Sequence, residues 1–188
     1  MLHRLLRRQA PLAAAVLASV ALLVPAAAQA DDACQNADVA PTTENVDQVR
    51  GAVLCLVNQE RASHGLSDLT ENAKLRVSAT RHTTNMVLSR FFEHTTPAGT
   101  TMVERIRKAG YMRGARSWAV GENLAWGTGT LSTAAQIQAS WMRSPGHRAN
   151  ILRSKYREIG IAIGLGVPVQ LSAAQLGATY TTNFGVRS

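Results

Sequence analysis

The chain has 188 residues and carries 20 lysines and arginines against 12 aspartates and glutamates, a formal net charge of +8. This length suffices for one compact domain with a core of its own. The basic residues are scattered rather than grouped in one block with interleaved aromatic residues, so the composition argues against a nucleic-acid-binding protein.

The first thirty residues have the three regions of a secretory signal peptide. Three arginines precede an apolar run over residues 10–24, and Ala28-Gln29-Ala30 matches a cleavage site. A transmembrane anchor needs about 20 apolar residues, and this run is shorter and is broken by Pro25. We therefore expect cleavage after residues 1–30, a secreted, extracellular protein without a transmembrane anchor after cleavage, and a mature net charge of +5.

Two cysteines, Cys34 and Cys55, lie in the part that would be exported. Secretion places them in an oxidising compartment, where an even number of cysteines favours a disulfide. Residues 31–44 are polar and predict an extended N-terminal arm. Cys55 lies about 180° around the first helix from Val46 on its apolar stripe, so an arm carrying Cys34 would meet it there. Two unpaired cysteines are the alternative.

Helical patterns fill the first two thirds of the predicted domain, residues 45–188. Asn45 with Gln48, and Thr133 with Gln136, resemble capping boxes that open helices. The first of these helices runs to about residue 63, and the second capping pair opens a helix with Ile137 and Trp141 facing inward. Further helices are predicted over residues 70–90, 101–109 and 145–153.

The last third of the chain changes character. Residues 159–166 and 178–186 are rich in β-branched residues and glycine, and residues 168–177 separate them as a hairpin connection. Another strand is predicted over residues 118–126. Helices followed by strands favour the α+β class over a parallel doubly wound sheet.

Six segments resemble one known family in their order and spacing. They are Asn58-Gln59-Glu60-Arg61, Phe91-Phe92-Glu93-His94-Thr95, Gly121-Glu122-Asn123-Leu124-Ala125-Trp126, the run from Ser144 to Leu152, Glu158-Ile159-Gly160-Ile161 and Tyr180-Thr181-Thr182-Asn183-Phe184-Gly185. The chain resembles the CAP or SCP superfamily (cysteine-rich secretory proteins, antigen 5 and pathogenesis-related 1) in its short bacterial secreted form. The resemblance covers residues 46–186 and implies a three-layer α-β-α sandwich around a largely antiparallel sheet.

The same resemblance implies a cavity of two histidines and two acids, which in several members binds a divalent cation such as zinc. His94, Glu122 and His147 occupy three of these positions, whereas Ser144 stands where eukaryotic members place the second acid. Two imidazoles and one carboxylate suit tetrahedral zinc with an open water position, so zinc or another divalent cation is the expected cofactor. The alternative is a buried structural pair in which His147 hydrogen-bonds Glu122.

Two further histidines favour structural roles. His82 lies on the apolar stripe of the second predicted helix, between Ala79 and Met86, and is expected to be a hydrogen-bonded core residue. His64 precedes a helix-ending glycine and is expected at the helix C-terminus, where positive charge is favourable.

The expected function is that of a secreted, monomeric and non-enzymatic CAP-domain protein that binds an envelope, lipid or protein partner. The alternative is an extracellular metal-dependent or serine hydrolase using Ser144 and His147. The chain lacks a G-x-S-x-G nucleophile elbow, and Ser144 is predicted to cap a helix with its hydroxyl. A structural envelope domain, with the cavity residues as a polar core, is a third possibility.

Overall fold

The computed structural model describes residues 34–171 and 176–188, and in them a four-stranded sheet lies between two layers of helices. The predicted signal peptide, residues 1–30, lies outside the described residues. The strands are β1 (Thr70–Glu71), β2 (Trp118–Thr128), β3 (Glu158–Leu165) and β4 (Gly177–Arg187). The helices are α1 (Val46–Ser63), α2 (Ala73–Ser89), α3 (Met102–Lys108), α4 (Ala134–Arg143) and α5 (Pro145–Ile151), with a 3-10 turn at Gly129–Ser132. Within this part of the chain no helix is long and apolar enough to span a bilayer.

The sheet has the order β1-β3-β4-β2, and only the short β1–β3 pairing is parallel. Strand β4 lies inside the sheet, and its residues from Ala178 to Gly185 are all buried. Neither face of this part of the strand is therefore exposed to solvent. Its register sets Glu122 of β2 opposite Asn183. The sheet is thus largely antiparallel, as the resemblance implied.

Helices cover both faces of this sheet. Helix α2 packs on β3 and β4 with α3 beside it, whereas α1, α4 and α5 pack together on the other side. The interface between the sheet and the layer of α1, α4 and α5 is filled by fully buried side chains from both sides, among them Trp141 of α4 and Phe184 of β4. The three-layer α-β-α sandwich of the α+β class is therefore confirmed.

Gly160 allows α2 to approach the sheet closely. A Cβ atom added at this position in β3 would overlap the backbone of Leu75 and Arg76 in α2. The residue belongs to the Glu158-Ile159-Gly160-Ile161 segment, so that part of the family pattern records a packing requirement.

The start of α1 differs from the prediction in its chemistry but not in its position. The Asn45 side chain makes no capping bond to the helix. Its Oδ1 accepts from the Thr42 amide at 2.6 Å and its Nδ2 donates to the Ala40 carbonyl at 3.1 Å. The arm therefore uses this side chain to close its own turn, and the predicted capping box with Gln48 is wrong.

A true capping box opens α3, where Thr101 and Glu104 exchange side-chain-to-backbone bonds. Helix α2 begins later than predicted because residues 70–71 pair with β3 as strand β1. Asn72 then caps the helix, its side chain accepting from the amides of Lys74 and Leu75. The predicted cap at Thr133 is confirmed, since its side chain accepts from the Gln136 amide.

The Asn58-Gln59-Glu60-Arg61 segment ties α1 to two distant loops. Asn58 both donates to and accepts from the main chain of Leu69. Arg61 is fully buried, and its guanidinium donates to the carbonyls of Ser67, Ile151, Arg153 and Tyr156 at 2.7–3.4 Å. Burial lowers the pKa of Arg61. Among the residues described, every hydrogen bond of the guanidinium is to a main-chain carbonyl oxygen. These carbonyl dipoles stabilise its buried charge.

The N-terminal arm is joined to α1 by the expected disulfide. Cys34 and Cys55 are bonded with their Cα atoms 5.7 Å apart. The arm also reaches α4, since the Ala135 amide donates to the Ala37 carbonyl at 2.9 Å. The bond therefore attaches the arm, which has no regular helix or strand within residues 34–44, to the α1, α4 and α5 layer.

Replacing Cys55 by alanine should lower the free energy of unfolding by about 2–4 kcal/mol, because the denatured chain loses a cross-link. Urea unfolding of the two proteins measures the difference. Reduced wild type should match the variant. Quantitative labelling of both cysteines in unreduced, unfolded protein would contradict the bond.

Candidate functional site

Glu122 lies in the middle of β2 with 1% of its side chain exposed. Four contacts satisfy the carboxylate. The Nη2 of Arg105 donates to both oxygens at 2.7 and 2.9 Å, and His94 Nδ1 lies 2.9 Å from Oε1. The Asn183 amide nitrogen, in the orientation that satisfies its neighbours, donates to Oε2 at 2.9 Å. A buried carboxylate requires such partners, and here they all come from the chain itself.

Arg105 is the cation of this centre and is 8% exposed. Its Nη1 also donates to the main-chain carbonyls of His94 and Thr100 at 2.7 and 3.2 Å. One guanidinium thus fixes the Glu122 carboxylate and the loop that presents His94. The capping box at the start of α3 holds the helix that carries this arginine.

His94 is the exposed member of the centre, with 56% of its side chain accessible. The hydrogen bond to Glu122 raises the pKa of His94 above its usual value, against the opposing effect of partial burial. The imidazolium form therefore has a defined partner. In the imidazolium form both ring nitrogens carry a proton, so neither can bind a metal ion.

His147 lies in α5 and is half-buried. Its main-chain carbonyl accepts from Asn123 Nδ2 at 3.0 Å, and Asn150 links Asn123 Oδ1 to the carbonyl of Glu122 at 2.9 and 3.1 Å. Burial lowers the pKa of the ring, and the neighbouring charge of His94 lowers it further. Among the described residues the ring makes no hydrogen bond to Glu122, so the alternative of a His147–Glu122 pair is not found, and His94 is the histidine bonded to this carboxylate.

Ser144 stands between α4 and α5, at the predicted N-cap position. Its hydroxyl makes no capping bond, so the capping role expected from sequence is wrong. Within residues 34–171 and 176–188 it also makes no hydrogen bond to the His147 ring. The serine and the histidine therefore do not form a nucleophile–base pair in this conformation.

The three predicted ligands do not fit a resident cation as the structure places them. In the described part of the chain no three histidine, cysteine or acidic side chains are arranged to hold a metal ion. The obstacle is Arg105, which occupies both oxygens of the only acid in the predicted set. A divalent cation would have to displace the buried Arg105 guanidinium from the carboxylate. It would then be repelled by the positive charge of this neighbouring group.

Arg105 is the residue that sequence reasoning missed. It is one of the scattered basic residues of the sequence. Its position carried a signal, however, because residues 102, 105, 106 and 109 follow the i, i+3, i+4, i+7 spacing of a buried helix face. An arginine on such a stripe predicts a buried acidic or carbonyl partner.

The structural roles of the other two histidines are confirmed. His82 is buried, and its Nε2 lies 2.9 Å from the Glu93 carbonyl. Desolvation lowers its pKa, which keeps the ring neutral. His64 is the C-cap residue of α1, where its Nδ1 lies 2.9 Å from the Glu60 carbonyl.

Arg105→Met should lower the free energy of unfolding by about 3–5 kcal/mol, because it leaves the Glu122 carboxylate buried without its main cation. The double variant Arg105→Met/Glu122→Gln should recover part of this loss. Denaturant unfolding measures both. Arg107→Met is the control on the same helix, and this exposed residue should change stability by less than about 0.5 kcal/mol. Equal effects at the two positions would contradict the role of Arg105.

The His94 ring should titrate above its usual pKa of about 6.5, because the imidazolium is bonded to Glu122. A folded-state pKa above the unfolded value gives stability that is fully present below about pH 6.5 and is lost as pH rises through the folded pKa. NMR titration of the ring protons measures the pKa. In Glu122→Gln the pKa of His94 should fall back, because its hydrogen-bonded carboxylate is gone. An unchanged His94 pKa would remove the proposed pairing.

The sequence and structure both have known relatives. Residues 54–166 match the model of the cysteine-rich secretory protein family, CAP. The uncharacterized protein YkwD of Bacillus subtilis (strain 168) is 30% identical over 109 residues, which are 58% of this chain and 40% of YkwD. The chain thus spans less than half the length of this relative.

Solved structures share the fold at lower identity. An extracellular protein containing an SCP domain from Bacillus anthracis (strain Ames) is 24% identical, with a TM-score of 0.56 over 77% of this chain and 43% of that one. An outer surface protein of Borrelia burgdorferi is 20% identical, with a TM-score of 0.58 over 79% and 96% of the two chains. With more than half of its length matched by the family model, the chain belongs to the cysteine-rich secretory protein (CAP) family.

Proposed function

We propose that the chain is a secreted, non-enzymatic CAP-domain protein whose surface binds an envelope component, and whose His94–Glu122–Arg105 centre is a structural element. The observation that carries this is the saturation of Glu122 by donors of the same chain. A general base must reach the proton that it removes. Here the carboxylate is bonded to a permanent cation and is hidden from solvent.

The hydrolase alternative lacks a working pair of groups. Burial lowers the pKa of His147, which favours the neutral form that a base requires, but no hydroxyl in the described residues is bonded to the ring. The nearest candidate by sequence, Ser144, makes neither that bond nor a helix cap. A metal-dependent hydrolase would need a cation at a carboxylate that Arg105 already holds.

The secreted location is supported by three features. The first thirty residues have the n-region, apolar run and cleavage site of a signal peptide. The structural relatives include an extracellular protein and an outer surface protein. The Cys34–Cys55 bond is typical of proteins that pass through an oxidising compartment.

Purified wild type and His147→Ala should bind isolated cell envelope to the same extent, and neither should release a product from it. Co-sedimentation measures the binding, and mass spectrometry of the supernatant detects hydrolysis. The incubation is repeated with zinc and with a chelator, which should change neither result. Product release by wild type that zinc restores or that His147→Ala abolishes would establish the hydrolase instead.

A further inference from the structure

A cavity of about 430 Å³ lies beside β3 and β4, and no residue of the His94–Glu122–Arg105 centre lines it. We call it the arginine cavity, after Arg113, Arg157 and Arg187, which line it together with Glu158 and Gly114. Three arginine side chains and one acidic side chain therefore line it. Such an excess of positive side chains around one opening attracts anions.

The acidic side chain of the arginine cavity, Glu158, makes hydrogen bonds to other residues of the fold. Glu158 Oε2 accepts from the Tyr111 hydroxyl at 2.6 Å, and Oε1 accepts from Asn72 Nδ2 at 2.6 Å. Arg187 Nε lies 4.0 Å from Oε2, at the outer limit of an ion pair. The main-chain oxygen of Ser188 at the rim accepts from the amides of Arg116 and Ser117. Because both donors are neutral, the carboxylate keeps its negative charge, and it offsets only one of the three arginine charges.

Two of the arginines contact other groups of the fold, and the third is exposed. The Arg187 guanidinium lies over the Tyr111 ring at 5.2 Å from its centre, and Arg157 Nη1 donates to the Tyr156 carbonyl at 2.8 Å. Arg113 is exposed, and its side chain forms no ion pair with any residue that the structure describes. Gly114 beside it has a φ of +77°, which turns the loop at the edge of the cavity.

These groups fit a particular ligand chemistry. Guanidinium forks bind phosphate oxygens through paired, charge-assisted hydrogen bonds. Each Glu158 oxygen has one hydrogen bond and so retains acceptor capacity for a hydroxyl group. We propose that the arginine cavity binds a phosphate ester of a polyol, such as glycerol phosphate, with the phosphate on the arginines and a hydroxyl on Glu158. This rests on the proposed function, for which it names the class of envelope component.

The probes are soluble glycerol 3-phosphate, titrated by calorimetry, and vesicles of phosphatidylglycerol in phosphatidylcholine, measured by co-sedimentation. Wild type should bind at least one of them, and binding should weaken as salt rises. Arg113→Gln/Arg187→Gln should weaken it about tenfold or more, since two charge-assisted bonds are lost. Saturable binding of the soluble ester alone identifies a free phosphate ester, and binding to vesicles identifies a lipid headgroup.

Arg76→Gln/Arg81→Gln is the matched control, because it removes the same charge from exposed positions that line a different surface on α2. Arg113→Gln alone is expected to fold normally, because this side chain makes no ion pair in the described structure. It should still weaken binding severalfold. No binding of either probe, or equal losses in the test and control variants, would overturn the site. Envelope binding that survives the test variants would leave the proposed function standing without this cavity, whereas product release sensitive to His147→Ala would remove only the proposed function.

Discussion

The ion pair between Arg105 and Glu122 joins a helix and a loop to the sheet. Through it α3 and the His94 loop are attached to β2, and Asn183 extends the network to β4 and to the Ala79 amide of α2. Because both side chains are shielded from water, salt screens their attraction little. Each charge also costs several kcal/mol to desolvate, so the pair is favourable only in this one geometry. The pair therefore fixes how one helical layer is placed on the sheet.

The segments that resemble the family pattern are largely the residues that hold these layers together. Asn58 and Arg61 connect α1 to loops, Gly160 admits α2, and Asn123 and Asn150 connect β2 to α5. Apart from Gly160, these residues act mainly through hydrogen bonds to main-chain groups. A domain of this shape requires such bonds whether or not it binds a ligand. Such motifs identify a fold reliably and a reaction poorly.

The sequence predicted most helices and strands because their apolar periodicity is a local property. The sequence-based prediction failed where a side chain has two possible partners nearby. Asn45, for example, bonds the arm instead of capping α1. A two-residue strand such as β1 has no periodicity to detect, so residues 70–71 were assigned to the helix. Positions His94, Glu122 and His147 came from resemblance. Their partners did not, because Arg105 meets Glu122 only once α3 packs on the sheet.

Arg61 has a consequence for the order in which the chain folds. Its carbonyl partners at Ile151 and Tyr156 lie 90 and 95 positions further along the sequence. Until that part of the chain arrives, α1 cannot bury its guanidinium without leaving it unsatisfied, so early docking of the helix is disfavoured. Long-range closure of this kind slows folding. The layer of α1, α4 and α5 therefore needs the chain up to residue 156 before Arg61 can be buried with its partners.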